Sequence, residues 1–128
     1  NCHGAVRLLS VDSPIRNVRF ENIEAGNRCH FVNADAARYC LTPIFRDEDR
    51  PDGVGCLENI VFRNCRYWAS APLLGADEPL LCWETNMKGV VLENVTRDLT
   101  RDRAPQRPDA RVRKCTGSPV QKGGNGGT

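Results

Sequence analysis

The chain has 128 residues and a net charge of +2, enough for one domain with a core of its own. Acids and bases are intermixed, with few aromatics among them, which argues against a nucleic-acid partner; no apolar run reaches the length of a membrane span. Seven cysteines occur without a Cys-x-x-Cys pair, which weakens zinc-ribbon and thioredoxin readings. The odd count argues against a complete disulfide framework, so buried thiols are the main reading and a disulfide between coils the alternative.

In chain order, the sequence opens on Asn1-Cys2-His3-Gly4 in what reads as the middle of a repeat. The chain is therefore expected to be the C-terminal piece of a longer protein. Residues 5–11 form the first predicted strand, and Asp12-Ser13-Pro14 a turn. The segment from Ile15 to Ile23 is the first copy of a pattern that places Asn17 and Asn22 among alternating apolar residues. Ala25-Gly26-Asn27 reads as a turn, and Cys29 to Asn33 as a short strand with Cys29 and Phe31 on one face and His30 and Val32 on the other. Residues 41–55 hold Pro43, Pro51 and the acidic run Asp47-Glu48-Asp49; they read as an inserted, solvated loop, since the spacing fits no calcium loop.

The second copy runs from Leu57 to Cys65 and the third from Met87 to Val95, with Asn64 and Asn94 at the place of Asn22. Trp68 and Trp83 fall at coil edges, where they either stack on sugar rings or pack the structure. Residues 97–116 are charged and hold two prolines, a cap or a loose segment. The Gly-rich stretch 117–128 is predicted to be disordered.

Period-2 alternation marks strands with one buried face. Its return with the same Asn after 42 and then 30 residues marks a solenoid, in which stacked Asn side chains satisfy one another's amides. The predicted fold is all-β, a parallel β-helix of about three to four coils over residues 1–96.

The repeated Ile-x-Asn-Val-x-Phe-x-Asn unit resembles the right-handed parallel β-helix of the pectin-lyase-like superfamily. Within it, the chain is most similar to bacterial proteins related to glycoside hydrolase family 28, the polygalacturonases. The resemblance implies inverting hydrolysis of pectin-type poly- or oligosaccharide by a carboxylic acid and a carboxylate, with no cofactor and no metal. It leaves cytoplasmic, periplasmic and secreted locations open, and implies neither nucleic acid nor membrane as a partner.

Cys2-His3-Gly4 is similar to the family's Gly-His-Gly segment, which makes His3 an auxiliary catalytic residue. Asn27 to Val32 lies over the segment ending in Arg-Ile-Lys, which puts His30 at the Arg and Val32 at the Lys. Arg7, Arg28 and His30 are then the candidate substrate-binding residues. The family's Asn-x-Asp and Asp-Asp motifs do not precede His3, and Asn33-Ala34-Asp35, which follows it, reads as a chance match. The chain alone is therefore expected to be inactive. The alternative is a β-helix without catalysis, binding glycans or serving a structural role.

Overall fold

The computed structural model describes residues 2–10, 14–35, 56–72, 78–113 and 115–123, with Cys2 and His3 given by backbone alone. The predicted loop 41–55, Asp12, Asp77, Cys40 and residues 124–128 lie outside the described residues. Among the described residues, the regular structure comprises eight strands: β1 (Cys2–Leu9), β2 (Ile15–Glu21), β3 (Glu24–Asp35), β4 (Cys56–Ala69), β5 (Leu81–Glu84), β6 (Asn86–Arg97), β7 (Ala110–Val112) and β8 (Val120–Lys122). No helix occurs among the described residues.

Every pairing among the described residues is parallel. The sheet runs β7-β5-β3-β4-β6-β8, with β1 added to β3 and β2 to β4. It is a single curled parallel sheet, consistent with a β-solenoid.

The repeat sets the register. Ile15 lies beside Leu57 and Leu57 beside Met87; Val18, Ile60 and Val90 form a second row, and Phe20, Phe62 and Leu92 a third. Leu57, Ile60, Phe62, Val90 and Leu92 are buried, each contributing about 1.5–3 kcal/mol of apolar burial. The Phe20 and Phe62 rings stack at 4.6 Å, Phe31 stacks on Tyr67 at 5.0 Å, and Trp83 meets Phe62 edge-on at 6.1 Å.

The asparagines owe their places to backbone shape as well as to hydrogen bonding. Asn22, Asn64 and Asn94 have φ of 58°, 54° and 53°. Asn17, Asn59 and Gly89 form a second such row at 58°, 55° and 71°. Left-handed backbone is costly for most residues, and Asn and Gly bear it best. That is why a glycine takes the place of Asn in the third copy. The side chains also join across strands: Asn59 Nδ2 donates to Asn17 Oδ1 at 2.8 Å, and Asn94 Nδ2 to Asn64 Oδ1 at 2.8 Å.

The predicted alternation at Cys29–Val32 is corrected. Phe31 and Val32 are both fully buried, and both of their amides donate to the Leu80 carbonyl. The chain bends here, so consecutive side chains turn inward and the period of 2 is lost. Val32 therefore belongs to the core instead of lying opposite Phe31.

Segment 97–116 is held by a buried ion pair. Asp102, whose side chain is fully buried, accepts from Arg97 Nε at 2.7 Å, and Arg97 also donates to the carbonyls of Ala104 and Arg107. Composition after residue 117 predicts no regular structure, yet Val120–Lys122 pairs in register with Val91–Glu93.

Candidate functional site

The strands β1, β3, β5 and β7 lie side by side and present one outer face. Along β5, Leu81 and Trp83 belong to the buried core, while Cys82, itself buried, and Glu84 line a groove on the outside. Likewise Val32 and Ala34 are buried, and Asn33 and Asp35 line the same groove. Register places Arg7 beside Asn33, Asn33 beside Cys82, and Cys82 beside Arg111; Asp35 lies beside Glu84. The groove, of about 150 Å³, is completed by His30, Glu78, Arg111 and Arg113.

Glu84 is the hub. Its Oε2 accepts from Arg113 Nε at 3.0 Å, from the Cys82 thiol at 3.2 Å and from Arg111 Nη2 at 3.4 Å. Burial opposes its ionisation, but the Cys82 thiol, Arg113 and Arg111 outweigh it and hold the carboxyl below the usual carboxylate range. Glu84 is thus a carboxylate at neutral pH, an acceptor and not an acid. The Cys82 thiol is pushed up to about 11 by burial, by its hydrogen bond to Glu84 and by that carboxylate's charge. It remains a protonated donor, unsuited to nucleophilic attack.

At the groove's other end, His30 Nε2 lies 3.2 Å from Glu78 Oε2. The Cys29 sulfur lies 3.2 Å from His30 Nδ1 but also only 3.9 Å from Nε2. A sulfur in line with the Nδ1 lone pair would stand much farther from Nε2, so this one lies across the ring. Burial raises the Cys29 thiol as well. The trio has the composition of a nucleophile–base–orienter set without its geometry.

The described part of β1 gives His3 a backbone position, and its side chain lies outside the described residues. Arg7 reaches the same face and donates to Asp35 Oδ2 at 3.0 Å. His30 lines the groove, whereas Arg28 is exposed and does not. The structure therefore brings His30 and, through Asp35, Arg7 to one place, and leaves Arg28 apart. Sequence reasoning missed Glu78, Cys82, Glu84, Arg111 and Arg113 and gave Asp35 no role; the Leu81–Glu84 segment carries a local signal, with Leu81 and Trp83 alternating with Cys82 and Glu84.

The tryptophans do not offer open platforms. Trp83 is fully buried, and the Arg101 guanidinium covers Trp68 at 4.7 Å from the ring centroid. Among the described residues, no group of three or more His, Cys, Asp and Glu side chains is placed to hold a metal ion. No protein-family model, curated protein or solved structure matches the chain.

Proposed function

We propose that the chain is a right-handed parallel β-helix of the pectin-lyase-like kind, related to the polygalacturonases of glycoside hydrolase family 28. On this reading, the groove on β1, β3, β5 and β7 binds a pectin-type poly- or oligosaccharide. The observation that carries it is the set of carboxylates and guanidinium groups, Asp35, Glu84, Arg111 and Arg113, gathered on one outer face of parallel strands. Carboxylates accept from sugar hydroxyls and guanidinium groups donate to them, in a fork that suits vicinal hydroxyls and uronate carboxylates alike.

The groove holds sugar without cutting it. Inverting hydrolysis needs a protonated carboxyl to serve the leaving oxygen and a second carboxylate to activate water. Glu84 is held ionised, and Asp35 is engaged by Arg7. A second reading, a β-helix with a purely structural role, is favoured by one observation: Arg7 pairs with Asp35, both Arg111 and Arg113 with Glu84, and His30 with Glu78.

Calorimetric titration of the full chain with oligogalacturonate and with a neutral galacto-oligosaccharide separates the two. The binding reading expects saturable heat with one or both, weakened in Arg111→Ala, and no new reducing ends above a heat-killed control. Absence of binding to either sugar leaves the structural reading. Release of reducing ends overturns the assignment of a groove that binds without cleaving.

A further inference from the structure

Trp68 stands on the outer side of β4, between Tyr67 and Ala69, which are both buried in the core. Its partner on β3 is Gly26. A side chain at position 26 would come within 2.7 Å of the indole Nε1, so the ring leans over the neighbouring strand into space that glycine leaves open. A ring laid down in this way turns one face to the sheet and the other outward. Two carboxylates flank it. Glu24 lies two residues before Gly26 on β3, and Asp98 follows β6, its amide donating to the Tyr67 carbonyl at 2.8 Å.

Arg101 closes the outward face. Its guanidinium lies 4.7 Å from the Trp68 ring centroid, donates to Glu24 Oε1 at 3.5 Å and stands 3.5 Å from Asp98 Oδ2. This cover is loosely held: Arg101 is 51% exposed and Glu24 62%. Arg97, four residues earlier, shows the contrast, being 11% exposed and 2.7 Å from the buried Asp102. Exposed ion pairs and an exposed cation–π contact are weak interactions, so a ligand that stacks on the same ring can displace Arg101.

We propose that Trp68 is the platform of a sugar-binding site on this face and that Arg101 is its displaceable cover. The ligand is a pyranose ring of an oligosaccharide, whose C–H face stacks on the indole while its hydroxyls reach the polar groups around it. Those groups are in place. A groove of about 190 Å³ is lined by Glu24, Arg66, Thr96, Asn64 and Asn94, and a hollow of about 430 Å³ continues it from Arg66 and Thr96 to Asp98. Glu24 and Asp98, released by Arg101, accept from hydroxyls, and Arg66 donates. An aromatic face with a few convergent polar groups is the usual make-up of a small-ligand site. The site lies at the start of β3, shares no residue with the groove around Glu84, and does not depend on that groove binding sugar.

Acrylamide quenching of tryptophan fluorescence in the full chain tests this. Trp83 is fully buried, so the accessible emission belongs to Trp68. Arg101→Ala is expected to raise the quenching, and oligogalacturonate or a neutral galacto-oligosaccharide to lower it again. The same variant is expected to bind sugar about three- to tenfold more tightly than the wild type, because no cover has to be displaced. Calorimetry in an Arg111→Ala background separates this site from the groove: there, Trp68→Phe keeps a stacking ring and retains binding, and Trp68→Ala loses it. Sugar that binds equally well to Trp68→Ala sits elsewhere and overturns the proposal. So does an Arg101→Ala chain whose indole neither sugar protects, or one quenched no more than the wild type. Both fluorescence outcomes are read with Trp68 in place, so they hold even where its alanine variant fails to fold.

Discussion

Asn94 donates its side-chain amide to the Asn64 carbonyl at 2.8 Å, and both residues hold left-handed backbone, with φ of 53° and 54°. One side chain therefore satisfies two demands, a conformation and a hydrogen bond. Asn64→Ala fails both, and Asn64→Gly fails only the second. The alanine variant is expected to lose about 1–3 kcal/mol and the glycine variant less, read as the order of melting temperatures. Equal losses in the two variants would remove the conformational part of the explanation.

Trp83 fills the core beside Phe62, yet its indole N–H is buried without a partner. Trp83→Ala empties that space and is expected to cost about 3–5 kcal/mol in denaturant unfolding. Trp83→Phe keeps much of the packing and removes the unpartnered donor, so its loss is expected to be far smaller. A phenylalanine variant as unstable as the alanine one would mean that the N–H is satisfied in solution.

The order of the segment after β6 depends on Asp102. Burial pushes this carboxyl up, but hydrogen bonds from Arg97 and from the amides of Ala104 and Ala69 outweigh it and hold it below the ordinary carboxylate range. A carboxyl with a depressed folded pKa gives stability that is complete above its unfolded value and is lost as pH falls through the folded one. The wild type is therefore expected to lose stability below about pH 4. Asp102→Asn leaves Arg97 buried without its charge partner and is expected to cost about 3 kcal/mol at neutral pH, a gap that narrows in acid. Unfolding midpoints from pH 7 to pH 2 check both statements; a constant gap would mean that the pair does not titrate with folding.

Cys82 is expected to react slowly with iodoacetamide at pH 8, because its thiol is pushed up to about 11. Glu84 contributes to that shift by accepting the thiol's hydrogen bond and by its charge, while Arg111 acts in the opposite direction. Glu84→Gln removes the charge and is expected to speed alkylation at this site, which peptide mass spectrometry resolves from the other thiols. Unchanged kinetics would assign the whole shift to burial.

The repeat was the legible part of the fold. The rows of β2, β4 and β6 follow from the spacing of Asn22, Asn64 and Asn94, because a shared turn residue fixes register as firmly as the apolar alternation does. The bend at Phe31 and Val32 was hidden, since a strand that turns a corner breaks the alternation used to find it. Strand β8 was hidden by its glycine neighbours, because its pairing comes from β6 and not from its own propensity. The groove was legible only in fragments. Asp35, Glu84 and Arg113 meet across intervals of 49 and 29 residues, and no local spacing announces such a meeting.

The Asn row also has a direction. Asn64 donates back to Asn22 and Asn94 back to Asn64, so each new turn of chain hands a proton donor to the one before it. The next rung is Gly123, beside Asn94 and with φ of 67°, a backbone already shaped for asparagine but with no amide to give. The backbone template thus outruns the side-chain chemistry by one step. Gly123→Asn would supply the missing rung, and a solenoid built this way could be lengthened one donor at a time.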